Sequence, residues 1–463
     1  MNELILNDRI IQTDLSPGIT LLDFVRYEQH LKGTKIGCRE GDCGACTVLL
    51  GSLDTNGKVR YRSVTSCISP LGNAFGKHVV TIDGLTMPQL TPVQQALVDE
   101  GGSQCGFCTP GFAVSLTGYC LSCTRANHDT AVASVDGNIC RCTGYKSIER
   151  SIDKIVEQIP EINHVENLVR DGFIPEYFTD IPEKLKDLKN VKTGKHTSST
   201  VVGGGTDLYV QIPDDLAGAK VNLVSRKAVR PGIEINGKTC RLAANTTATE
   251  MLESEEFNRI FPELNQHLKL VSSTPIRNMG TLAGNLVNAS PIGDLTIFFL
   301  ALNATVILSG KKKKSLPLRE FYLGYKTLAK APGDLVEAVE FRIPKKHTHF
   351  NFEKVCKRTH LDIASVNSAM LIKVDENRIK KIHLSAGGIG PTPSYLEQTS
   401  KALRNQSLTA ETIKNGAEIL AQEISPISDV RGSEEYKRLL LRQLYFAHFL
   451  KLFPDHFTLT DLI

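Results

Sequence analysis

Ten of the twelve cysteines in this 463-residue chain lie before residue 143; only Cys240 and Cys356 follow. A disulfide scaffold spreads its cysteines through a short secreted chain, whereas a metal-binding segment in a reducing compartment crowds them locally. The crowding points to an N-terminal portion built around metal-ligating loops. The length suggests about two to four domains. With 22% charged and 41% hydrophobic residues, the composition is that of an ordinary soluble globular protein. A net charge of +4 gives no field for a nucleic-acid partner. The longest apolar stretch, Ile297 to Leu308, is broken by Asn303 and Thr305 and falls short of the roughly 20 residues that span a bilayer. Glu3, Asp8 and Asp14 interrupt any signal-peptide core. A cytoplasmic protein without membrane or nucleic-acid partners is the expectation.

Short apolar runs before residue 85 (Leu4 to Leu6, Ile10 to Ile11, Thr47 to Leu50, Val59 to Tyr61, Val79 to Ile82) alternate with turns such as Asn56-Gly57 and predict a small mixed sheet. Leu22, Val25 and Tyr27 predict a helix over Thr20 to His30. From Thr91 to about Gln158, Val93, Ala96, Leu97, Phe112, Leu116, Tyr119, Ile148, Ile152 and Ile155 recur at helical spacing. Pro160, Pro175 and Pro182 mark a connecting segment. Towards the C-terminus, strands are expected at Ala369 to Val374 and Lys381 to Ala386. A final helix should follow, capped by Ser433, with Tyr436, Leu440, Leu444 and Ala447 as its apolar stripe. Lys311 to Lys314 reads as a solvated hairpin turn. Cys240 and Cys356 read as buried thiols, and His30, His78 and His383 as ordinary scattered histidines.

Cys38-x4-Cys43-x2-Cys46, followed by Cys67, has the spacing of a plant-type [2Fe–2S] site. Gly37, Gly41 and Gly44 let the loop wrap closely, so that backbone amides reach the sulfurs. A four-thiolate zinc site more often uses two separate hairpins. A second set starts at Cys105-x2-Cys108, and two pairs compete to complete it. Cys120-x2-Cys123 would make a zinc-ribbon-like pattern, but it continues an apolar helix where cysteine serves as a small hydrophobe. Cys140-x-Cys142 lies beside glycines at an expected helix start, where amides and a positive dipole end stabilise thiolates, and is favoured.

The three motifs Gly37 to Cys46, Gln104 to Gly111 and Cys140 to Tyr145 together resemble the molybdenum hydroxylases. That resemblance implies a β-grasp ferredoxin-like domain for the first motif and a helical domain for the other two. It implies two [2Fe–2S] clusters, on Cys38, Cys43, Cys46 and Cys67 and on Cys105, Cys108, Cys140 and Cys142. It leaves Cys120 and Cys123 in the core and implies that Gln104 hydrogen-bonds the pterin of a molybdenum cofactor in another subunit.

Val201-Val202-Gly203-Gly204-Gly205-Thr206-Asp207-Leu208 is a short strand entering a glycine loop whose N–H groups could reach a pyrophosphate. It lacks the Gly-x-Gly-x-x-Gly fingerprint of a Rossmann fold. A second region dense in small residues and amides runs from Thr274 through Asn285 to Asp294. Together the loops resemble the FAD domain of the xanthine dehydrogenases. The resemblance implies that Val201 to Leu208 meet the pyrophosphate and that Thr281, Gly284, Asn285, Asn288 and Asp294 line the cleft, with Asp294 facing the adenosine. It further implies contacts from Val336 and Lys354. Two departures bear on the flavin: Val271 stands where animal members place an aromatic ring, and Leu361 replaces a family acid.

The expected fold is therefore multidomain α+β. It comprises a ferredoxin-like β-grasp domain (1–85), a helical [2Fe–2S] domain (86–160), a linker (161–182), a two-subdomain α/β FAD-binding domain that is not Rossmann (183–345) and a C-terminal α+β domain (350–463). The order resembles the small iron–sulfur/FAD subunit of bacterial xanthine dehydrogenases. This implies an electron-transfer role, from the molybdopterin cofactor of a separate large subunit through both clusters to FAD and then NAD⁺, or O₂ in an oxidase variant. Purine oxidation and an assembly of two small and two large subunits are implied with it. The same parts would suit an aldehyde or carbon monoxide oxidising relative, and a zinc-binding scaffold is the non-catalytic alternative. No residue of this chain is expected to be catalytic towards the purine.

Overall fold

The computed structural model describes residues 1–160, 164–188, 200–224, 232–358 and 361–462. The chain divides into two compact units, Met1–Ser225 with Ser273–Gly280, and Arg226–Ser272 with Thr281–Ile463. Among the described residues no helix is long and apolar enough to cross a membrane.

The first unit begins with a five-stranded sheet in the order Arg9–Thr13, Asn2–Leu6, His78–Val80, Thr47–Leu53, Val59–Thr65. Asn2–Leu6 and His78–Val80 pair in parallel and the other neighbours are antiparallel, which is the β-grasp arrangement expected. Thr47–Leu53 is apolar in succession because both of its faces are covered. Val48 and Leu50 join the core beneath the ferredoxin-like domain, and Leu49 joins the core of the helical domain. Helix Thr109–Ser122 lies on that second face and is buried continuously from Gly111 to Cys120, so an apolar residue suits every side of it. A Cβ at Gly118 would stand 2.7 Å from Leu49, so glycine is what allows the close crossing.

Two expectations for this unit need correction. The predicted N-terminal helix is one α turn, Leu21–Asp23, widening into Phe24–Glu28, with Gln29 N–H donating to Phe24 O. The wider turn points Phe24 and Val25 inward and leaves Tyr27 53% exposed. The presumed linker, of which 161–163 lie outside the described residues, forms helices Val165–Arg170 and Ile181–Asp187. Leu168, Phe173, Ile174 and Phe178 are all buried in the helical domain's core. Their irregular spacing hides them from a periodicity reading.

Ser273–Gly280 packs as a strap on the first unit. Asp136 accepts from Thr274 N–H at 2.6 Å and from the Arg277 guanidinium at 2.6 Å, a pair with both side chains about nineteen-twentieths buried. Asn278 Nδ2 donates to Ser63 O at 2.9 Å. The strap thus holds both the sheet and the helical domain.

In the second unit an antiparallel sheet runs Lys314–Pro317, Thr305–Ser309, Leu335–Arg342, Thr239–Ala243, Ile233–Asn236. The four-lysine turn sits at its exposed hairpin, as expected. A separate sheet of Thr348–Val355, Val366–Asp375, Arg378–Gly387 and Ser394–Tyr395 carries helices Ala410–Glu423 and Glu434–Leu452. Ser433 caps the last helix, accepting from Tyr436 N–H. Its inward stripe is rotated from the expected one: Tyr436 is exposed, Leu440 and Ala447 are half-buried, and Lys437, Leu441, Leu444, Tyr445, His448 and Phe449 face in. Polar residues occupy this face because each finds a partner there. Lys437 meets Asp429 and Ile427 O, while His448 meets Asn351 and Ser368. Cys240 is fully buried, but Cys356 is only half-buried and donates its thiol to Arg358 O.

His78 is not an incidental histidine. It is fully buried, its Nε2 donates to Asn7 O at 2.8 Å, and its Nδ1 therefore accepts from Tyr61 OH at 2.8 Å. Burial holds the ring neutral, with a pKa down at about 3. The unfolded chain takes up the proton near 6.5, so this contribution to stability is complete above that pH and is lost as the pH falls towards 3. Urea denaturation between about pH 6.5 and 4.5 should show wild type losing up to about 1.4 kcal/mol per pH unit more than His78→Gln. Parallel slopes would contradict the assignment.

Candidate functional site

The loop from Gly37 to Cys46 turns back on itself through three residues with positive φ: Arg39 (59°), Gly41 (82°) and Gly44 (68°). Arg39 is held in this conformation by its 2.7 Å ion pair with Asp23. The sulfurs collect backbone donors. Glu40 and Cys43 N–H point to Cys38 Sγ at 3.3 and 3.4 Å, and Cys38 N–H points to Cys43 Sγ at 3.4 Å. A Cβ at Gly37 would stand 2.5 Å from Cys43 Sγ, so only glycine leaves the sulfur its place.

Cys67 arrives from the end of strand Val59–Thr65 and completes the group. Cys38 touches Cys43 and Cys67, and Cys67 touches Cys46. Crowded thiols cannot all ionise: Cys43 and Cys67 are pushed up, each chiefly by Cys38. Cys38 and Cys46 are pulled down by hydrogen bonds from Cys43 and Cys67 respectively. Four converging sulfurs fit a site whose crowded charge is balanced by a cationic centre, and the N–H donors aimed at Cys38 and Cys43 fit sulfur that stays anionic.

The structure also brings Cys105, Cys108, Cys140 and Cys142 together, with Cys105 against Cys142 and Cys108 against Cys140. Burial, then Cys140, pushes the Cys108 thiol up to about 12. Cys108 caps helix Thr109–Ser122. Gly144 and Tyr145, both with positive φ, turn the chain into helix Lys146–Gln158 after Cys142, and Tyr145 OH accepts from Cys140 N–H. Cys120 lies fully buried inside its helix, its thiol pushed up by burial, and Cys123 ends that helix. The two sets differ in access. Cys46 and Cys67 are buried, whereas Cys105 and Cys142 are exposed beside exposed Gln104, Phe107 and Tyr145.

The glycine loop belongs to the first unit. Strand Thr200–Val202 pairs in parallel with Val221–Leu223, and Val202, Tyr209, Leu216 and Val221 share the ferredoxin-like core. A Cβ at Gly204 would stand 2.0 Å from Met279 O, and one at Gly205 (φ 91°) would stand 2.9 Å from Ile68 O, next to Cys67. These glycines therefore serve a close packing of backbone on backbone that the sequence did not announce. Gly203 O accepts from Asn73, and Thr206, Asp207 and Leu208 remain half-buried.

The other residues expected at a flavin lie in the second unit. Thr281 caps helix Leu282–Asn288, accepting from Gly284 N–H, and Gly284 is exposed. Asn285 Oδ1 accepts from Thr296 N–H and Oγ1, and Asn288 accepts from Lys326. Asp294 and Lys354 meet at 2.7 Å. Asp294 also accepts from Asn367, and Lys354, almost fully buried, also donates to Leu270 O. Val336 lies in the core of its sheet. Val271 and Leu361 are both buried, and Leu361 N–H donates to Ser272 O, so the two departures from the family pattern come together. Leu361 adopts φ 73°, unusual for a branched side chain. Thr359 and His360 lie outside the described residues. The exposed turn at Gly284 and the density of amides fit a polar elongated ligand, while Asp294 and Lys354 are already committed to each other.

Four family profiles match in sequence order. They are described as 2Fe-2S iron-sulfur cluster binding domain (residues 4–71), [2Fe-2S] binding domain (81–153), FAD binding domain in molybdopterin dehydrogenase (177–346) and CO dehydrogenase flavoprotein C-terminal domain (352–452). A xanthine dehydrogenase of Emericella nidulans is 27% identical over 95% of this chain and 38% of its own length. Aldehyde oxidase 1 of Oryctolagus cuniculus is 25% identical over 96% of this chain and 39% of its own length. The chain thus spans about two-fifths of the relatives it matches. Among solved structures, carbon monoxide dehydrogenase from Hydrogenophaga pseudoflava shares the fold. Its TM-score is 0.51 at 21% identity, over 55% of this chain and 88% of that one.

Gly44 is the residue on which the first loop turns, and its Cβ would stand 2.3 Å from Gly137 O. Gly57 has a similar φ, 78°, with nothing within 4 Å of a Cβ. Gly57→Ala should cost only the strain of a positive φ, about 1–3 kcal/mol. Gly44→Ala should cost clearly more by chemical denaturation; equal losses would contradict the close approach.

Proposed function

We propose, from the premise that this chain is an iron–sulfur and FAD electron-transfer module of the molybdenum hydroxylases, that it is the electron-transfer subunit of a xanthine dehydrogenase. In this reading a large molybdopterin-binding subunit oxidises the purine, hypoxanthine or xanthine. This subunit passes the electrons on to NAD⁺, in an assembly of two small and two large subunits. Cys105, Cys108, Cys140 and Cys142 hold one [2Fe–2S] cluster, and Cys38, Cys43, Cys46 and Cys67 hold the other. Val201 to Leu208 carry the pyrophosphate side of FAD. Thr281, Gly284, Asn285, Asn288, Asp294, Val336 and Lys354 make up the rest of the flavin set. Clusters supply single-electron exchange and flavin supplies the two-electron store from which a hydride can leave.

The observation that carries this reading is the gradient of access within one unit. Exposed Cys105 and Cys142, rimmed by Phe107 and Tyr145, offer an edge where electrons can enter from another protein. In the group of Cys38, Cys43, Cys46 and Cys67 the last two are buried, and the glycine loop packs against Ile68 beside Cys67. The chain's own residues thus order an entrance, an interior relay and a flavin loop. The near-equal identities to a xanthine dehydrogenase and an aldehyde oxidase support a second reading, the equivalent subunit of an aldehyde-oxidising enzyme.

Purified protein should contain about four irons and four labile sulfides per chain, with flavin and cluster bands together in the visible spectrum. Cys43→Ser should remove one of two electron paramagnetic resonance (EPR) signals and leave FAD bound. Stoichiometric zinc, or a Cys43→Ser variant that keeps both signals, would contradict the ligand assignment.

A further inference from the structure

Strand Arg378–Gly387 alternates along its second half. Ile382, Leu384 and Ala386 enter the core under the C-terminal helices, while Lys381, His383 and Ser385 take the other face. His383 is only 5% exposed, and its Nδ1 lies 2.6 Å from Tyr395 OH. The neighbours fix the direction of that bond. Leu384 N–H donates to Ser400 Oγ at 3.2 Å, and the Ser400 hydroxyl donates to Tyr395. The phenol therefore donates to Nδ1, and Nε2 carries the proton of the ring. Nε2 is buried and has no hydrogen-bond partner among the described residues. It is a spare donor at the tip of the imidazole, and a buried donor left unpaired costs stability.

Positive charge gathers around this donor. The Arg319 guanidinium lies 5.5 Å from the centre of the Tyr395 ring. Burial, then the charges of Lys381, Arg404 and Arg319, keep the His383 ring neutral, with a pKa down at about 4. Partial burial, then Arg342, Arg404 and Lys345, lower the pKa of Lys381. Lys381 also stands directly opposite Lys373 in the sheet, where like charges repel. Among the described residues, Arg319, Arg342, Lys345, Lys381 and Arg404 pair with no carboxylate, and Glu397, the acid that acts on Tyr395, is paired with Lys401 at 2.9 Å. All of these residues belong to the second unit. Cations held this close without a counter-charge, over a histidine with an unspent N–H, have the chemistry of an anion site. A phosphate group brings roughly two negative charges and three oxygens, enough to meet guanidinium, ammonium and imidazole donors together.

We propose that Arg319, Lys381, Arg404 and His383 form a binding site for a small phosphate-bearing molecule, with His383 Nε2–H donating to a phosphate oxygen. The three cations are exposed and meet the anion from solvent, while His383, held by Tyr395, supplies a fixed donor beneath them. The site uses none of the residues assigned to the flavin or to the cysteine groups and does not rest on those assignments.

Calorimetric titration of the full chain, with its cofactors and at constant ionic strength, tests this with two probes, inorganic phosphate and glycerol 3-phosphate. One probe molecule should bind per chain, and the tighter of the two tells a free anion from a phosphate ester as the ligand; either supports the site. Arg404→Gln and Lys381→Gln, both surface changes, should each weaken binding about tenfold. Lys312→Gln, which removes an equal charge from the exposed four-lysine turn, should leave it unchanged. In the ¹⁵N-histidine spectrum, the Nε2–H signal of His383, assigned by its loss in His383→Gln, should shift on saturation with phosphate. The absence of saturable binding, or a loss in Lys312→Gln as large as that in Arg404→Gln, would overturn the site and leave its cations as solvated charges. Saturable binding that Arg404→Gln and Lys381→Gln do not weaken would place the anion elsewhere and overturn it too. Binding that those variants weaken while the Nε2–H signal stays unmoved would overturn the part given to His383.

Discussion

The first unit depends on the approach of backbone to backbone at Gly44. A loop that carries three sulfurs cannot be shaped by a hydrophobic core of its own, because its interior is reserved for ligands and N–H donors. Its shape must come from outside, and it comes from Gly111 on one side and Gly137 with Asn138 on the other. The sheet repeats this logic at larger scale. Thr47–Leu53 leaves the loop with both faces covered, Val48 and Leu50 in one core and Leu49 in the other. Two domains that a linear reading separates near residue 85 therefore share a strand, a core and the contact between their cysteine groups.

What the sequence made legible was local chemistry. Four thiols at plant-type spacing, and glycines where sulfur needs room, are written within a few residues of one another, and the structure brings those eight cysteines together in two groups. The strands of the first sheet and the helices between Thr91 and Gln158 followed from periodicity for the same reason. What escaped was decided by distant partners. The last helix buries Lys437 and His448 instead of Tyr436 because Asp429, Asn351 and Ser368 wait for them. The presumed linker folds because Leu168, Phe173 and Phe178 find a core made by other helices. Asn138 lies two residues before Cys140, yet its bonds to Gly44 and Ser115 are visible only in the fold.

The flavin set marks the boundary of that legibility. Residue types and order pointed to a polar ligand, and the family profile covering residues 177–346 agrees in kind. The side chains, however, bond chiefly with one another: Asp294 with Lys354 and Asn367, Asn285 with Thr296, Asn288 with Lys326. These bonds fix the loops. Val271 and Leu361, the two departures from the family pattern, are both buried.

The central claim, that one chain holds two iron–sulfur relays and a flavin in electrical contact, is tested most directly by counting electrons. An anaerobic coulometric titration of the loaded protein should take up about four reducing equivalents per chain, one for each cluster and two for the flavin. Uptake of two or fewer would mean that the flavin or both clusters are missing.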